Sequence, residues 1–569
     1  MTVYGTPRYG PHLYGTGGNS DVFGDITYEL SRKLDSCPVL KIEHVSLDGT
    51  VTDITKYYDT GGSITREKER APDEIQAGDF DLTLFNHDDK FSEFKPASMF
   101  YGTQYHLSQI KISVAFKSPS GMTEYYPICT GYIDELNAHK DESKVTLRCR
   151  DIMHKVIDEK LHLRRTEETP VADGDNTGDG TCSTIETLPF SVKTETWTLT
   201  CTTPGADSVA VFSVVGSVSG VVGSATSGVE YKNTSCGLKF MISAGDTPWD
   251  SGDAFTFQSF QRPEWTQQNP ASIIWSVLTG HNLDTGATEE WADSVLSLDA
   301  TRDNSNTEID YNAFVTAASE LTEFSLTGYV DYDESAQEFI QGLLLLFLGS
   351  IYTDGNGRIS IKTWTPKQSA VIRTFADTAK ISELEYTRSV NEIINYVRIA
   401  YKKSKTWQFS GEDVSYDGWH TSKDTTSIAK YGKLSEEYTT RWFMSGGIHA
   451  QLFTARLLAR YNVPPLVVKF TTGADGLLSE LGDRIYITDD KYGFTSLAAE
   501  ISMLSKDISS RPLHISISAR QDNGLGILYG YLGSLVDEGD GASPQALLFT
   551  NASDSDKLFC YLDNGYEVY

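Results

Sequence analysis

The stretch Asp333-Glu334-Ser335-Ala336-Gln337-Glu338-Phe339-Ile340-Gln341-Gly342-Leu343-Leu344-Leu345-Leu346-Phe347-Leu348-Gly349 decides how this chain is to be read. Asp333 is placed to N-cap a helix beginning at Glu334. Phe339, Ile340, Leu343, Leu344 and Phe347 recur on one face of a 3.6-residue period. Leu345 and Leu346 widen that face until the helix is apolar almost all round, which implies burial from several sides. Gly349 supplies the stop. Ile351-Tyr352-Thr353 and Arg358-Ile359-Ser360-Ile361-Lys362-Thr363-Trp364 then flank Asp354-Gly355-Asn356-Gly357, whose Gly and Asn accept φ > 0, the signature of a hairpin. A further helix is expected upstream at about 311–321. The unit carries no evident catalytic group and reads as a scaffold, which points to a chain built to assemble.

At 569 residues the chain has room for roughly three to five domains. Aromatics make up 11% of it, with 30 tyrosines, a composition of β-formers. The formal charge of −30 repels phosphate and argues against a surface that grips nucleic acid. It leaves room for a surface that DNA slides past. Cys37, Cys129, Cys149, Cys182, Cys201, Cys236 and Cys560 are scattered, odd in number and without a C-x-x-C pair, so free thiols in a reducing compartment are expected. No signal peptide is visible, and the apolar run near Leu343–Leu348 is far shorter than the roughly 20 residues that span a bilayer.

In chain order, residues 1–36 repeat Tyr-Gly with Pro7 and Pro11 between and read as an arm or a tail. Strands follow at Val39–Val45, Phe80–Asn86, Ile110–Phe116, Tyr126–Ile133 and Lys144–Cys149, then a helix at Ile152–Leu161. Phe80, Leu82 and Leu84 alternate against Asp81 and Thr83, an antiparallel sheet with one buried face. Residues 166–262 change character: charge drops, and Ser, Thr, Gly and Val dominate. Short strands at Thr196–Cys201, Ala210–Val214, Leu238–Ile242 and Asp253–Phe257 indicate a separate β-sandwich inserted behind a Gly/Asp-rich edge. Asn269-Pro270 opens a helix that Gly280 closes. After the scaffold unit come a strand at Ile393–Tyr401, a polar loop over 402–437, a helix at Gly447–Tyr461, and strands at Leu466–Phe470, Arg484–Thr488, Ala498–Leu504 and His514–Ala519. Two short β-like runs, Leu547–Thr550 and Leu558–Leu562, end the chain. The two strand-rich regions are alike in type, although no residue-level repeat is legible.

Chemistry-bearing motifs are sparse. No G-x-x-x-x-G-K-[ST], H-E-x-x-H or G-x-S-x-G occurs; Gly216-Ser217-Val218-Ser219-Gly220 has valine where a nucleophile would stand. His87-Asp88-Asp89 offers metal-ligand types but reads as a solvated turn. Asp173, Asp175 and Asp179 lack the glutamate that closes an EF-hand loop. Paired carboxylates for glycoside hydrolysis can neither be picked nor excluded among 78 acids. Tyr125-Tyr126 and Trp407 are of the type that stacks on sugars, with core or interface as the plainer role. No cofactor, metal or catalytic residue is assigned.

Three stretches together resemble the hub proteins at the tail tip or baseplate of tailed bacteriophages and gene transfer agents. The first runs from Gly78 to Ser92, with Asn86-His87-Asp88-Asp89-Lys90-Phe91-Ser92 as its turn. The second is the unit Ser335–Trp364. The third is Ala455–Pro465 with Leu466–Phe470 and Gly482-Asp483-Arg484-Ile485. The 166–262 segment is similar to a small β-module inserted into phage virion proteins. The resemblance implies a mainly β (α+β), multi-domain chain: an arm (1–36), a first tube-like antiparallel β-barrel or sandwich domain (37–165), an inserted β-sandwich (166–265), a middle α/β helix-hairpin scaffold (266–369), a second tube-like domain (370–520) and an extension (521–569). It further implies a non-enzymatic homotrimer in the virion, made in the host cytoplasm. Its partners would be the tail tube or distal tail protein and other baseplate, tip and fibre proteins. DNA would pass through the lumen without specific binding, and no part would enter a membrane. Phe80, Leu82, Leu84, Phe339, Ile340, Leu343, Leu344, Phe347, Gly355 and Gly357 are the expected core and assembly residues. A receptor- or glycan-binding tail protein acting through the insertion, and a tail-associated cell-wall hydrolase, are the alternatives.

Overall fold

The computed structural model describes residues 38–67, 78–118, 121–122, 125–139, 143–158, 169–188, 191–260, 264–289, 296, 298, 308–330, 334–364, 373–376, 381–403, 407–408, 411–412, 416–443, 447–509, 513–522, 560–561 and 567–568. The arm at 1–36, Asp333 and the run Leu547–Thr550 lie outside them.

The first strands are β1 (Val39–Val45), β2 (Val51–Asp53), β3 (Tyr58–Gly61), β4 (Ile64–Glu67), β5 (Asp79–Phe85), β6 (Gln109–Ala115), the two-residue pair β7 (Lys117–Ser118) and β8 (Gly121–Met122), β9 (Tyr126–His139) and β10 (Lys144–Arg150), followed by helix α1 (Met153–Asp158). They form an antiparallel sheet in the order β2-β1-β6-β9-β10-β5-β3. β9 runs six residues past the expected end at Ile133, because a bulge after Ile133 lets it continue alongside β10.

The inserted segment holds β11 (Val171–Ala172), β12 (Thr181–Cys182), β13 (Glu186–Thr187), β14 (Glu195–Thr203), β15 (Val211–Gly216), β16 (Gly220–Thr226), β17 (Glu230–Asn233), β18 (Leu238–Ser243) and β19 (Ala254–Ser259). A five-stranded sheet, β11-β19-β14-β15-β16, faces a smaller one built on β18 with β12, β13 and β17. Trp197, Phe212, Phe240, Trp249, Phe255 and Phe257 lie between them, in a core drawn wholly from residues 182–257.

The middle region comprises β20 (Glu264–Gln268), α2 (Pro270–Thr279), α3 (Tyr311–Glu320), β21 (Leu326–Tyr329), α4 (Ala336–Phe347), β22 (Ser350–Thr353) and β23 (Ile359–Lys362). Asn269 caps α2 through Ala271 N, and Gly280 ends it at φ +74°. Two expectations for α4 are corrected. Its N-cap is Ser335, whose hydroxyl accepts from Glu338 N at 3.0 Å: Ser335-Ala336-Gln337-Glu338 has the spacing of a capping box. Its left-handed C-cap is Leu348 (φ +54°), not Gly349, whose N–H instead reaches back to Leu344 O. Leu345, on the helix's outer side, is only half-buried.

The last part holds β24 (Arg373–Phe375), β25 (Ser382–Arg388), β26 (Tyr396–Lys403), β27 (Trp407–Gln408), β28 (Gly411–Glu412), β29 (Tyr416–Lys423), α5 (Thr425–Tyr431), β30 (Ser435–Thr439), α6 (Ile448–Tyr461), β31 (Leu466–Thr472), β32 (Arg484–Asp489), β33 (Phe494–Asp507) and β34 (His514–Gln521). A two-residue hairpin, β35 (Cys560–Tyr561) with β36 (Glu567–Val568), lies near the end of the chain. The expected polar loop over 402–437 is a correction. It contains β29, α5 and most of β30, which sandwich β26, and Asp424 caps α5 through Ser427 N at 2.8 Å. Its apolar residues are too few to show a period, so packing against α6 and hydrogen bonding to β26 decide the structure there.

The second large sheet has the order β24-β32-β33-β34-β31-β25, with β4 of the first region added to β33. The two large sheets bury one common core. Phe80, Leu82, Leu84, Ile110, Ile112 and Leu147 from the first meet Val468, Phe470, Ile485, Ile501, Leu504 and Ile517 from the second.

Candidate assembly site

Taken in chain order, β1, β3, β5, β6, β9 and β10 of the first sheet stand side by side as first, fourth, fifth, sixth, third, second. Strands β24, β25, β31, β32, β33 and β34 of the second stand in that same order. The match reaches single hydrogen bonds. In the first sheet Leu107 N donates to Ile133 O and Ile133 N to Ser108 O; in the second Gly482 N donates to Ile501 O and Ile501 N to Asp483 O, all at 2.9 Å. Leu107 and Gly482 both take positive φ, +66° and +77°. The strand residue after each of these isoleucines is the bulge, so Cys149 pairs with Ile133 as Ala519 pairs with Ile501. Across the next strand, Cys149 faces Phe80 and Ala519 faces Val468. The sheets depart from one another at one edge: β1 meets β6 antiparallel, whereas β24 meets β32 parallel.

What locks the two sheets and the scaffold together is a buried ionic cluster. Arg66 on β4 donates to Glu480 Oε2 at 2.9 Å and to Asp354 O at 3.2 Å, and Lys506 on β33 donates to Glu480 Oε1 at 3.1 Å. All three side chains are 8% exposed or less. Burial pushes the Lys506 ammonium below its ordinary pKa, against the pull of Glu480. Burial also opposes the Arg66 charge, but the carboxylates of Glu480, Asp151 and Asp354 leave its pKa raised. Asp354 Oδ2 takes Arg358 Nη2 at 2.8 Å, and Arg358 reaches on to Asp310, the cap of α3. Asp151, buried and with its pKa raised by desolvation, accepts from Gly78 N and Met153 N. The cluster therefore ties both sheets to the hairpin and to α3. Its chemistry is that of structural ion pairing, in which charges out of water are tolerable only when each finds its partner.

The residues expected from the sequence fall on two sides of this junction. Phe80, Leu82 and Leu84 are buried in the core between the sheets. Phe339, Ile340, Leu343, Leu344 and Phe347 are buried in the scaffold core with Trp265, Trp442 and Phe453. Gly355 and Gly357 join the two. A Cβ on Gly355 would lie 2.6 Å from Pro127 O, and one on Gly357 (φ +82°) 2.6 Å from Thr130 Cβ. The β22–β23 turn thus presses its backbone on β9, at an approach only glycine allows. Sequence reading missed Arg66, Glu480 and Lys506, since an isolated charge gives no sign that it will be buried. The alternation of Ile64 and Arg66, both buried, against exposed Thr65 and Glu67 was the available signal.

The weaker candidates do not converge. His87 stacks on Phe85, Asp88 accepts from Tyr57 Oη at 2.8 Å, and Asp89 lies 3.7 Å from Lys95. Asp173 holds Asp175 N, and Asp179 holds Thr247 N. The Gly216–Gly220 segment is the β15–β16 turn, where the Glu195 carboxylate accepts from Val218 N, Ser219 N and the Ser219 hydroxyl. Among the described residues no group of three His, Cys, Asp or Glu is placed to hold a metal ion, and no helix is long and apolar enough to cross a membrane. Cys129, Cys149, Cys182, Cys201 and Cys236 are buried free thiols.

No protein-family model and no curated protein matches the chain. Among solved structures it is similar to a tail protein from Neisseria meningitidis MC58 at 10% identity and TM-score 0.40, covering 85% of this chain and 98% of that one. It is similar to the 43 kDa tail protein of prophage MuSo2 from Shewanella oneidensis at 11% identity and TM-score 0.38, covering 85% and 99%. A chain of a native gene transfer agent particle matches at 12% identity and TM-score 0.27, covering 82% and 86%. Two of these are tail proteins, one of them from a prophage, and the third belongs to a gene transfer agent virion.

Proposed function

We propose that this chain is a structural hub of a phage-type tail, working as a homotrimer that joins the tail tube to the distal tip. The observation that carries the reading is the duplicated sheet. Three copies of a chain with two equivalent sheets present six equivalent faces, which is what a ring of six tube subunits needs from a three-chain partner. The common core and the Arg66–Glu480–Lys506 cluster support it, because they hold the two sheets as one unit. The charge of −30 suits a lumen through which DNA passes without sticking. In this reading the chain sits at the tail tip or baseplate, contacts tube, distal-tail and fibre proteins, and catalyses nothing. The test is the mass of the purified protein or of its tail subassembly in native conditions. A trimer of about 189 kDa, three times the 62.9 kDa chain, is expected; a monomer or a hexamer of hubs overturns the reading.

One observation favours a second role, host recognition through the inserted module. Val218 and Val221, at the β15–β16 turn, are 65% and 73% exposed, with Val209 and Val229 also open. Apolar side chains set out in this way suit contact with another surface. Particles carrying a hub without residues 166–262 would assemble but fail to adsorb; normal adsorption removes this role and leaves the hub reading untouched.

A further inference from the structure

The two sheets differ in what covers one strand edge. After their bulges, β9 and β33 continue in step, so that Glu135–His139 corresponds to Met503–Asp507. On one side these halves pair with β10 and β34. On the other side β33 takes β4 antiparallel: Met503 faces Glu67, Leu504 Arg66, Ser505 Thr65 and Lys506 Ile64. Along that side of Glu135–His139, beyond the stretch of β9 that pairs with β6, no strand pairs among the described residues. Leu504 and Lys506 are buried, while Glu135, Asn137 and Ala138, on the equivalent stretch, are exposed. A strand half with open N–H and C=O groups is a template for another strand.

The internal repeat also indicates what fills it. β4 follows directly on β3, the outermost strand of the first sheet. The strand equivalent to β3 is β25, outermost in the second sheet; both carry a register shift where they pair with their neighbours. Aligned through those pairings, the counterpart of Ile64-Thr65-Arg66 is Thr387-Arg388-Ser389. Among the described residues β25 pairs with β31 and with no other strand, and Tyr386, Thr387 and Arg388 are exposed. Within one chain the first sheet gives a strand to the second. In a head-to-tail ring the second sheet of one copy stands beside the first sheet of the next.

We propose that Thr387–Ser389 of one copy pairs antiparallel with Leu136–Ala138 of a second copy. The register is Thr387 to Ala138, Arg388 to Asn137 and Ser389 to Leu136, which places the Arg388 guanidinium diagonal to the Glu135 carboxylate. The occupant of the open edge is thus a second copy of this chain. The inference rests on the three-chain reading and adds to it the surface that closes the ring.

Disulfide trapping in the full chain tests the register. Thr65→Cys with Ser505→Cys is the reference pair, since their hydroxyls lie 2.8 Å apart; it closes within one chain on mild oxidation. Asn137→Cys with Arg388→Cys is expected to link separate chains, up to three, on a non-reducing gel. The wild type and each single variant, run alongside, account for native thiols. Arg388→Glu, which sets like charges side by side, is expected to weaken association about tenfold. A protein that is trimeric in native conditions but gives no linkage beyond the single variants, or that closes the new pair within one chain, overturns the proposed edge while the trimer stands. An unchanged association of Arg388→Glu likewise counts against the edge. A protein that is not trimeric overturns the hub reading and the edge with it.

Discussion

The inserted module and the paired large sheets are both β-structures, but they are held together in opposite ways. The module buries Trp197, Phe212, Trp249 and Phe257 among residues of its own segment. Among the described residues the large sheets share one core: Phe80 and Leu82 lie in it with Val468 and Ile517, 386 to 437 residues further along the chain, and β4 is a strand of the second sheet supplied by the first region. A part with a private core is expected to tolerate removal without unfolding its neighbours. A part whose core is shared has to fold with its partner, and the Arg66–Glu480–Lys506 cluster makes the shared core intolerant of separation.

Glu480→Ala breaks the comparison hardest. It leaves Arg66 and Lys506 buried without their carboxylate, and a loss of about 3–5 kcal/mol is expected in the main unfolding transition. A loss under about 1 kcal/mol in denaturant titration would mean the cluster does not hold the sheets. Leu344→Ala, on the buried face of α4, should cost about 2–5 kcal/mol in the same transition; an unchanged midpoint would remove the scaffold helix from the shared body. Trp249→Ala should cost a similar amount, about 3–5 kcal/mol, but only in the module's own transition. Movement of the main transition by that variant would show that the module is not energetically separate. Residues 166–262 expressed alone should accordingly give a cooperative melt and a β-type far-UV spectrum, with no oxidation of Cys182, Cys201 or Cys236; an unfolded segment refutes the private core.

The smallest effect concerns pH. His44 donates from Nε2 to Ser108 Oγ at 2.8 Å, because that hydroxyl is itself spent on Tyr105 O. Burial lowers its pKa below the ordinary 6.5, and burial does the same to His449, whose Nε2 accepts from Ser325 N. Both histidines are therefore neutral in the folded protein at a pH where the unfolded chain takes up protons. The stability these two histidines contribute is full above pH 6.5 and falls as pH drops from 6.5 through their folded pKa values. Thermal melts between pH 7.5 and 5 should show the midpoint falling, and His449→Gln should flatten that fall. A midpoint that rises on acidification over this window would contradict the assignment.

How much of this was legible depended on whether the signal was local. α4 was readable from Phe339, Ile340, Leu343, Leu344 and Phe347, and β5 from Phe80, Leu82 and Leu84, since periodicity marks the buried face directly. The cap of α4 was misplaced by reading Asp333 alone instead of the box formed by Ser335 and Glu338. The segment over 402–437 was missed because β29 gains its partner from β26 and α5 its support from α6 and Asn462, and neither contact leaves a pattern in the segment itself. The duplication was invisible for a related reason. Equivalent positions carry Phe80 and Val468, Leu107 and Gly482, Cys149 and Ala519; they agree in backbone pairing while differing in side chain, and Leu107 is exposed where Gly482 is buried.

By itself the sequence determined the β-rich class and the scaffold helix and hairpin, because composition and periodicity are properties of neighbouring residues. The glycines at 355 and 357 were also announced by the sequence, though only as a turn; that their missing side chains let the turn rest on β9 required the partner strand. Tertiary structure alone decided that the two sheets repeat one topology, that they share a core, and that Arg66, Glu480 and Lys506 meet inside it. The repeated topology arises from strand pairings tens of positions apart and the shared core and the Arg66–Glu480 contact from residues hundreds apart, where hydrogen-bond register and desolvated charge are set by geometry that no local pattern encodes.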